Sequence, residues 1–187
     1  NAELWREIDA FTRELRAGET AESIKQQPAI AATREAYKRC GKDPSRYRPS
    51  AEALRRRLMR GLELYQIDTL VDLINLVSLR TGYSIGGFDA DKIQGDSLEL
   101  GIGRAEEPFE GIGRGTLNIE GLPVYRDRAG GIGTPTSDNE RTKMGLETRR
   151  ILAIVNGYNG REGLAEAAGM IPVSYTHLRA HENLRQL

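Results

Sequence analysis

The run from Leu70 to Leu79 (LVDLINLVSL) most constrains what this chain can fold into. Nearly every position is apolar, so a helix here is buried on more than one side and other elements must pack around it. Thr69 and Asp72 have the T-x-x-D spacing of a reciprocal cap, which predicts a start at Thr69, and Gly82 predicts the end. Asn75 and Ser78 interrupt the run at i, i+3, and a buried amide needs hydrogen-bond partners. Ahead of it, Pro49-Ser50 predicts a helix start with Ser50 as the cap. Leu54 and Leu58 share one face of that helix, and Arg55, Arg56, Arg57 and Arg60 occupy most of the rest until Gly61. Behind the apolar run, Tyr83 to Phe88 reads as a short strand or a glycine-hinged turn.

The N-terminal part is helical. Leu4, Ile8, Phe11 and Leu15 form one stripe that stops at Gly18, and Trp5 reads as a packing residue. Pro28 separates a short second helix from a third, which Gly41 ends. Strands are predicted at Ser97–Ile102, Thr116–Ile119, Leu122–Asp127 and Ile151–Val155, the last buried on both faces. The runs Gly101–Gly103, Gly111–Gly115 and Gly130–Gly133 read as turns, and Arg161–Ala168 as a final helix. Helices first and strands afterwards argue for an α+β fold, with helices against a curved or double-layered sheet.

Composition narrows the chemistry. With 187 residues, 39% hydrophobic and 29% charged, the chain reads as one globular domain with a helical extension, too polar for a membrane span. It opens without a signal peptide and without Met, and so reads as a fragment. The single Cys40 excludes an internal disulfide and suggests a reducing cytoplasm. The segment VSYTHLRAHENLRQL at 173–187 breaks the preceding composition and reads as a non-native tail. It contains both histidines, His177 and His181. Without them no Ser-His-Asp, Cys-His or zinc arrangement is available, and no metal or cofactor is expected. None of the glycine runs spells a phosphate-binding fingerprint.

Charge is balanced overall but segregated. Ten basic residues face three acidic ones between Arg34 and Arg60, and seven acidic face two basic between Asp89 and Glu110. Two readings follow: a basic surface for phosphates, or solvated arginines paired with the acidic segment. The richest polar stretch is GGIGTPTSDNERT, Gly130 to Thr142. It offers amide donors, hydroxyls and carboxylates suited to a ligand carrying both an amine and a carbonyl, or else Asp138 and Asn139 simply cap a turn.

The string LVDLINLVSLRTGYSIGGFDADKIQGD resembles the tRNA-binding and editing region of the phenylalanyl-tRNA synthetase β subunit, and free-standing relatives of that region. Asp72, Asn75, Phe88, Asp89, Asp91, Lys92, Ile93 and Gly95 match its pattern, and the likeness runs through EGLPVYRDRAGGIGTPTSDNERT over roughly residues 30 to 170. It implies helices packed on a curved, double-layered mixed sheet. The expected organisation is a helical extension over 1–45, a tRNA-binding and editing domain over 46–172, and the tail. It also implies hydrolysis of the ester between tyrosine and the phenylalanine tRNA, in a pocket that takes donors from a loop falling at Gly130–Gly133. The chain departs from the family pattern at Gly86-Gly87-Phe88-Asp89, where the family has H-A-F-D, and at Gly130–Pro135. The family's glutamate has Glu140 and Glu147 as neighbouring candidates.

Three functions follow as expectations. One is a free-standing tRNA-binding protein that clears mischarged aminoacyl-tRNA in trans, an ester hydrolase and not a complete synthetase. Another is a non-catalytic binder of an amino acid or small metabolite in the same pocket. The third is a general RNA-binding module. Candidate pocket residues are Asn75, Phe88, Asp89, Gly130, Gly131, Gly133, Thr134, Thr136, Asp138 and Glu140, with Asp89 holding an α-ammonium. Candidate RNA contacts are Arg46, Arg48, Arg55, Arg56 and Arg60, and the expected partner is tRNA or aminoacyl-tRNA. Deleting 173–187 is expected to shift the melting temperature by no more than a few degrees, checked by calorimetry of both forms.

Overall fold

The computed structural model describes residues 1–172, so the tail at 173–187 lies outside the described residues. Five helices come first: α1 (Ala2–Gly18), α2 (Ala21–Gln26), α3 (Pro28–Arg39), α4 (Ser50–Met59) and α5 (Thr69–Thr81). The strands follow: β1 (Ser84–Asp89), β2 (Glu99–Ile102), β3 (Glu110–Gly111), β4 (Gly115–Thr116), β5 (Pro123–Asp127), β6 (Gly130–Gly133) and β7 (Ile151–Asn156). Residues 164–172 are helical again. The architecture is α+β.

α5 forms as its apolar run requires. Leu73, Ile74, Leu76, Val77 and Leu79 are all buried, packed with Leu4, Ile8 and Leu15 of α1, Leu58 of α4 and Tyr83 and Ile85 around β1. It starts at Thr69 as expected, but its cap differs. Asp68 is the cap, accepting from the amides of Leu70 and Val71 at 2.9 Å each. Asp72 instead accepts from the Trp5 indole at 3.0 Å and the Ile67 amide at 3.2 Å, so Trp5 is a hydrogen-bond donor as well as a packing residue. Burial pushes the Asp72 carboxyl above its ordinary value, and these two donors oppose the shift. Gly82 closes the helix with φ of 77°, the left-handed conformation that glycine supplies without steric cost. In α4 the N-cap position belongs to Pro49, and Ser50 is already helical and makes no side-chain cap.

The sheets are all antiparallel among the described residues, where a mixed sheet was expected. β1 pairs with β7, β3 with β4, and β2, β5 and β6 form a three-stranded sheet in the order β2-β5-β6. β5 and β6 are joined by the two residues Arg128-Ala129, too short for a parallel crossover. Gly130–Gly133, expected as a turn, is strand β6. Of the expected 116–119 strand only Thr116 lies in a strand, β4, and the Leu117 amide adds a single bond to the Phe109 carbonyl at 2.9 Å. β7 is not buried on both faces, since Ile151 is 38% exposed and Leu152 to Val155 are half-buried. A second core of Tyr37, Phe109, Ile119, Leu122 and Val124 lies under the three-stranded sheet.

α4 packs against α1, α2, α5 and β1, and charge decides its rotation. Glu52 is fully buried and takes Arg34 of α3 at 2.8 Å, Arg56 at 2.8 Å and Arg48 at 3.5 Å. One turn on, Arg55 is 3% exposed and pairs with Glu19 while donating to the Leu79 carbonyl. Among the described residues none of these arginines pairs with the acidic segment at 89–110; the carboxylates they use are local. Removing Glu52 strands three cations, two of them almost enclosed. Glu52→Ala is expected to cost about 3–5 kcal/mol in urea unfolding, the range for breaking one side of a buried ionic network. Substituting the exposed Arg60 should cost under about 0.5 kcal/mol.

Candidate functional site

A cavity of about 450 Å³ opens between the helical layer and the strands. Ser50, Ala53, Leu54 and Arg57 recur at i, i+3, i+4 and i+7 and give it one face of α4; α5 contributes Asn75 and Ser78. Tyr65 comes from the α4–α5 loop, Ile112 and Arg114 from the β3–β4 turn, and Thr134, Ser137 and Asp138 from the loop after β6. A groove of about 520 Å³ along α1 contains none of the candidate residues.

Asp138 is the chemical centre of this cavity. Its carboxylate accepts from the Gly87 amide at 3.0 Å and lies against β1 and β6 where they carry no side chains. A Cβ on Gly86 would fall 2.7 Å from the Phe88 ring and 2.9 Å from Asp138 Oδ1. One on Gly133 would fall 2.5 Å from the same ring and 3.0 Å from the same oxygen. Glycine at both positions lets ring and carboxylate share this space, and a side chain at either, such as a histidine at position 86, would require one of them to shift. Burial pushes the Asp138 carboxyl up to about 7, with the Gly87 amide opposing the shift.

The loop around Asp138 is held by its own hydroxyls. Thr134 Oγ1 accepts from the amides of Thr136 and Ser137 at 3.2 and 3.1 Å, and the Thr134 amide donates to the Ser137 carbonyl at 2.9 Å. On the opposite wall Asn75 is half-buried, and its side-chain amide has no partner among the described residues. Arg57 and Arg114 likewise make no ion pair there, unlike Arg34, Arg48, Arg55 and Arg56.

Three of the candidate residues therefore meet in the cavity, Asn75, Thr134 and Asp138, with Gly133 and Phe88 forming the seat beneath Asp138. The others lie elsewhere. Asp89 caps a 3-10 turn, accepting from the Asp91 amide at 3.0 Å and the Thr148 hydroxyl at 2.9 Å, with Lys92 at 3.6 Å. Burial opposes its ionisation, but these donors outweigh it and hold the carboxyl below its ordinary value. Gly130, with φ of 129°, is the first residue of β6, paired with Asp127 after the Arg128-Ala129 turn. Gly131 faces the second core, where a Cβ would meet Phe109 at 3.0 Å and Val124 at 3.2 Å. Thr136 is buried against the Tyr37 hydroxyl at 2.8 Å and donates to the Tyr47 carbonyl at 3.1 Å. Glu140 is exposed and pairs with Lys143 at 3.2 Å.

The candidate RNA contacts divide in the same way. Arg48, Arg55 and Arg56 are engaged in the ionic interior, whereas Arg46 and Arg60 are exposed. Arg57, Tyr65, Ser137 and Arg114 line the cavity but were not among the candidates. For Arg57 the signal was present in the spacing Ser50–Ala53–Leu54–Arg57. Tyr65 and Arg114 sit in connections with no periodicity to read. Among the described residues no three or more His, Cys, Asp or Glu side chains gather as a metal site, and no helix is long and apolar enough to cross a membrane.

A family model for the B3/4 domain matches residues 32–168. The chain belongs to the B3/4 domain family. This is the domain found in the phenylalanyl-tRNA synthetase β subunit. Comparison with curated proteins gives no match. The B3/4 match begins within α3 and contains every residue that lines the cavity. α1 and α2 precede the B3/4 match, yet Leu4, Ile8 and Leu15 share their core with α5, which provides one wall.

The raised Asp138 value fixes a sign for stability. Between its ordinary 3.8 and about 7, the folded protein keeps a proton that the unfolded chain has lost. Stability therefore falls as pH rises through that window and levels off above about 7. Asp138→Asn removes the charge at nearly constant shape. The variant should melt higher than the parent at pH 8, with a much smaller difference at pH 4, in thermal scans at both values.

Proposed function

We propose that this B3/4 domain protein binds the aminoacyl end of tRNA in the cavity between α4, α5 and the loop after β6, and hydrolyses the ester in trans. The observation that carries this reading is Asp138, a carboxyl with a pKa near neutrality, facing a cavity that also holds the unpartnered amide of Asn75. An aminoacyl ester is activated, so a held water and a base suffice without a protein nucleophile. In this scheme the water oxygen attacks the ester carbonyl carbon as Asp138 takes its proton. The bond from that carbon to the ribose oxygen then breaks, and the proton passes to the departing ribose hydroxyl. Asn75 donates to the carbonyl oxygen as negative charge develops on it.

A second reading, a non-catalytic binder of an amino acid in the same cavity, draws support from the ion pairs of Arg48, Arg55 and Arg56, which withdraw cations from any RNA-facing surface. Incubation with correctly and incorrectly charged tRNAs separates the two. Release of the amino acid is expected from a mischarged species, at a rate that rises with pH through about 7 as Asp138 ionises. Asp138→Asn should lower that rate by about 10²-fold or more, and Asn75→Ala by a comparable factor with the fold intact. Amino-acid binding without release from any charged tRNA would establish the second reading instead.

A further inference from the structure

The mouth of the cavity is built differently from its floor. Tyr65 stands on the α4–α5 loop with 70% of its surface exposed, the only aromatic of that loop, between the exposed Leu62 and Ile67. Arg57 lies over its ring, 4.2 Å from the centroid, and is fixed by a 2.7 Å bond from its Nε to the Glu63 carbonyl. Arg114 approaches from the β3–β4 turn, whose backbone is tied by a 2.9 Å bond from the Arg114 amide to the Gly111 carbonyl. Both arginines line the same cavity as Asp138, and neither has a carboxylate partner among the described residues. Arg55 and Arg56 of α4 are neutralised, whereas these two guanidinium groups at one opening, without a carboxylate partner among the described residues, suit an anion.

We infer that Tyr65, Arg57 and Arg114 form a nucleotide subsite, with the base stacked on Tyr65 and a phosphate taken by the two arginines. This rests on the reading of the cavity above and specifies its ligand. The floor, with Asp138 and Asn75, suits the aminoacyl group; the mouth favours a phosphate and a π-face. A free amino acid offers only the first of these. An aminoacyl nucleotide offers all three in one molecule, and about 450 Å³ lies within the range of small-molecule sites. Two sources share that chemistry: the terminal nucleotide of a charged tRNA, and an aminoacyl adenylate. Base stacking on one exposed aromatic side chain is sequence-tolerant and strong enough to be measured by substitution.

The test is calorimetric titration of the full chain with AMP, adenosine and tyrosinamide. AMP is expected to bind more tightly than adenosine, and its advantage to shrink as salt is raised. Tyr65→Ala should weaken AMP by about tenfold or more, while Tyr65→Phe keeps the stack and the affinity. Arg114→Gln should abolish the preference for AMP over adenosine. Both residues are exposed, so unchanged melting temperatures will show that the fold is retained. Two further probes identify the source. Tighter binding of 3′-tyrosylamino-3′-deoxyadenosine 5′-phosphate points to a tRNA terminus, and tighter binding of tyrosyl-sulfamoyl adenosine points to an adenylate. Tyrosinamide binding without AMP binding at millimolar concentration overturns the subsite and leaves the amino-acid cavity standing. AMP affinity indifferent to both Tyr65→Ala and Arg114→Gln overturns it equally. AMP binding lost in those variants, with no ester hydrolysis, keeps the subsite and removes the proposed reaction.

Discussion

The buried carboxylate of Glu52 determines how the helical layer meets the strands. A side chain with no exposure that holds Arg34, Arg48 and Arg56 leaves α4 little rotational freedom. On a helix that advances about 100° per residue, Glu52, Arg55 and Arg56 occupy one side. Ser50, Ala53, Leu54 and Arg57 then occupy the opposite one, and that is the side facing the cavity. Turning α4 by one residue would expose the ionic side and carry Arg57 away from Tyr65. Taking Glu52 and Arg55 out of water is expensive, and their attraction offsets the cost only while every partner is present. The network is therefore better understood as fixing orientation than as adding stability.

The second constraint is a shortage of space. Phe88 is 1% exposed and its ring reaches the backbone of β1 and β6 at Gly86 and Gly133. The Asp138 carboxylate enters the same gap and finds one donor, the Gly87 amide. A carboxylate with a single neutral donor and an aromatic neighbour is poorly solvated, which is why its proton affinity rises toward neutrality. Asp89, only one residue beyond the ring, has the opposite character because a hydroxyl, an amide and Lys92 surround it. Two aspartates touching the same strand thus differ in ionisation through their burial and their donors together.

What could be read from the sequence was what depends on neighbours along the chain. The apolar run of α5, the Gly82 stop and the stripe of α1 are local, and each forms where its periodicity places it. The α+β order of elements was legible for the same reason. The caps were less so: Asp68 and Thr69 are both competent caps, Asp68 takes the role, and Asp72 is engaged by Trp5, sixty-seven residues away. β6 was hidden because four residues of GGIG have no alternation to detect, and the strand exists through its pairing with β5. In the site, Asp138 was visible as a polar residue in a glycine-rich loop. Its difference from Asp89 was not, since both are aspartates beside turns and their donors come from across the fold.

The arginines carry the same lesson into the electrostatics. A count along the chain treats Arg48, Arg55, Arg56, Arg57 and Arg60 as one basic patch, but the fold divides them three ways. Arg48, Arg55 and Arg56 are neutralised by Glu52 and Glu19, and Arg60 is left in solvent where screening is strong. Arg57 alone is turned toward the cavity, which Arg114 of the β3–β4 turn also lines. A charge partly shielded from water acts over a longer range than one on an open surface. The cations placed to serve a ligand under the proposed reading are therefore the two that line the cavity, and the one on α4 faces it because Glu52 holds the opposite side of the helix against the protein.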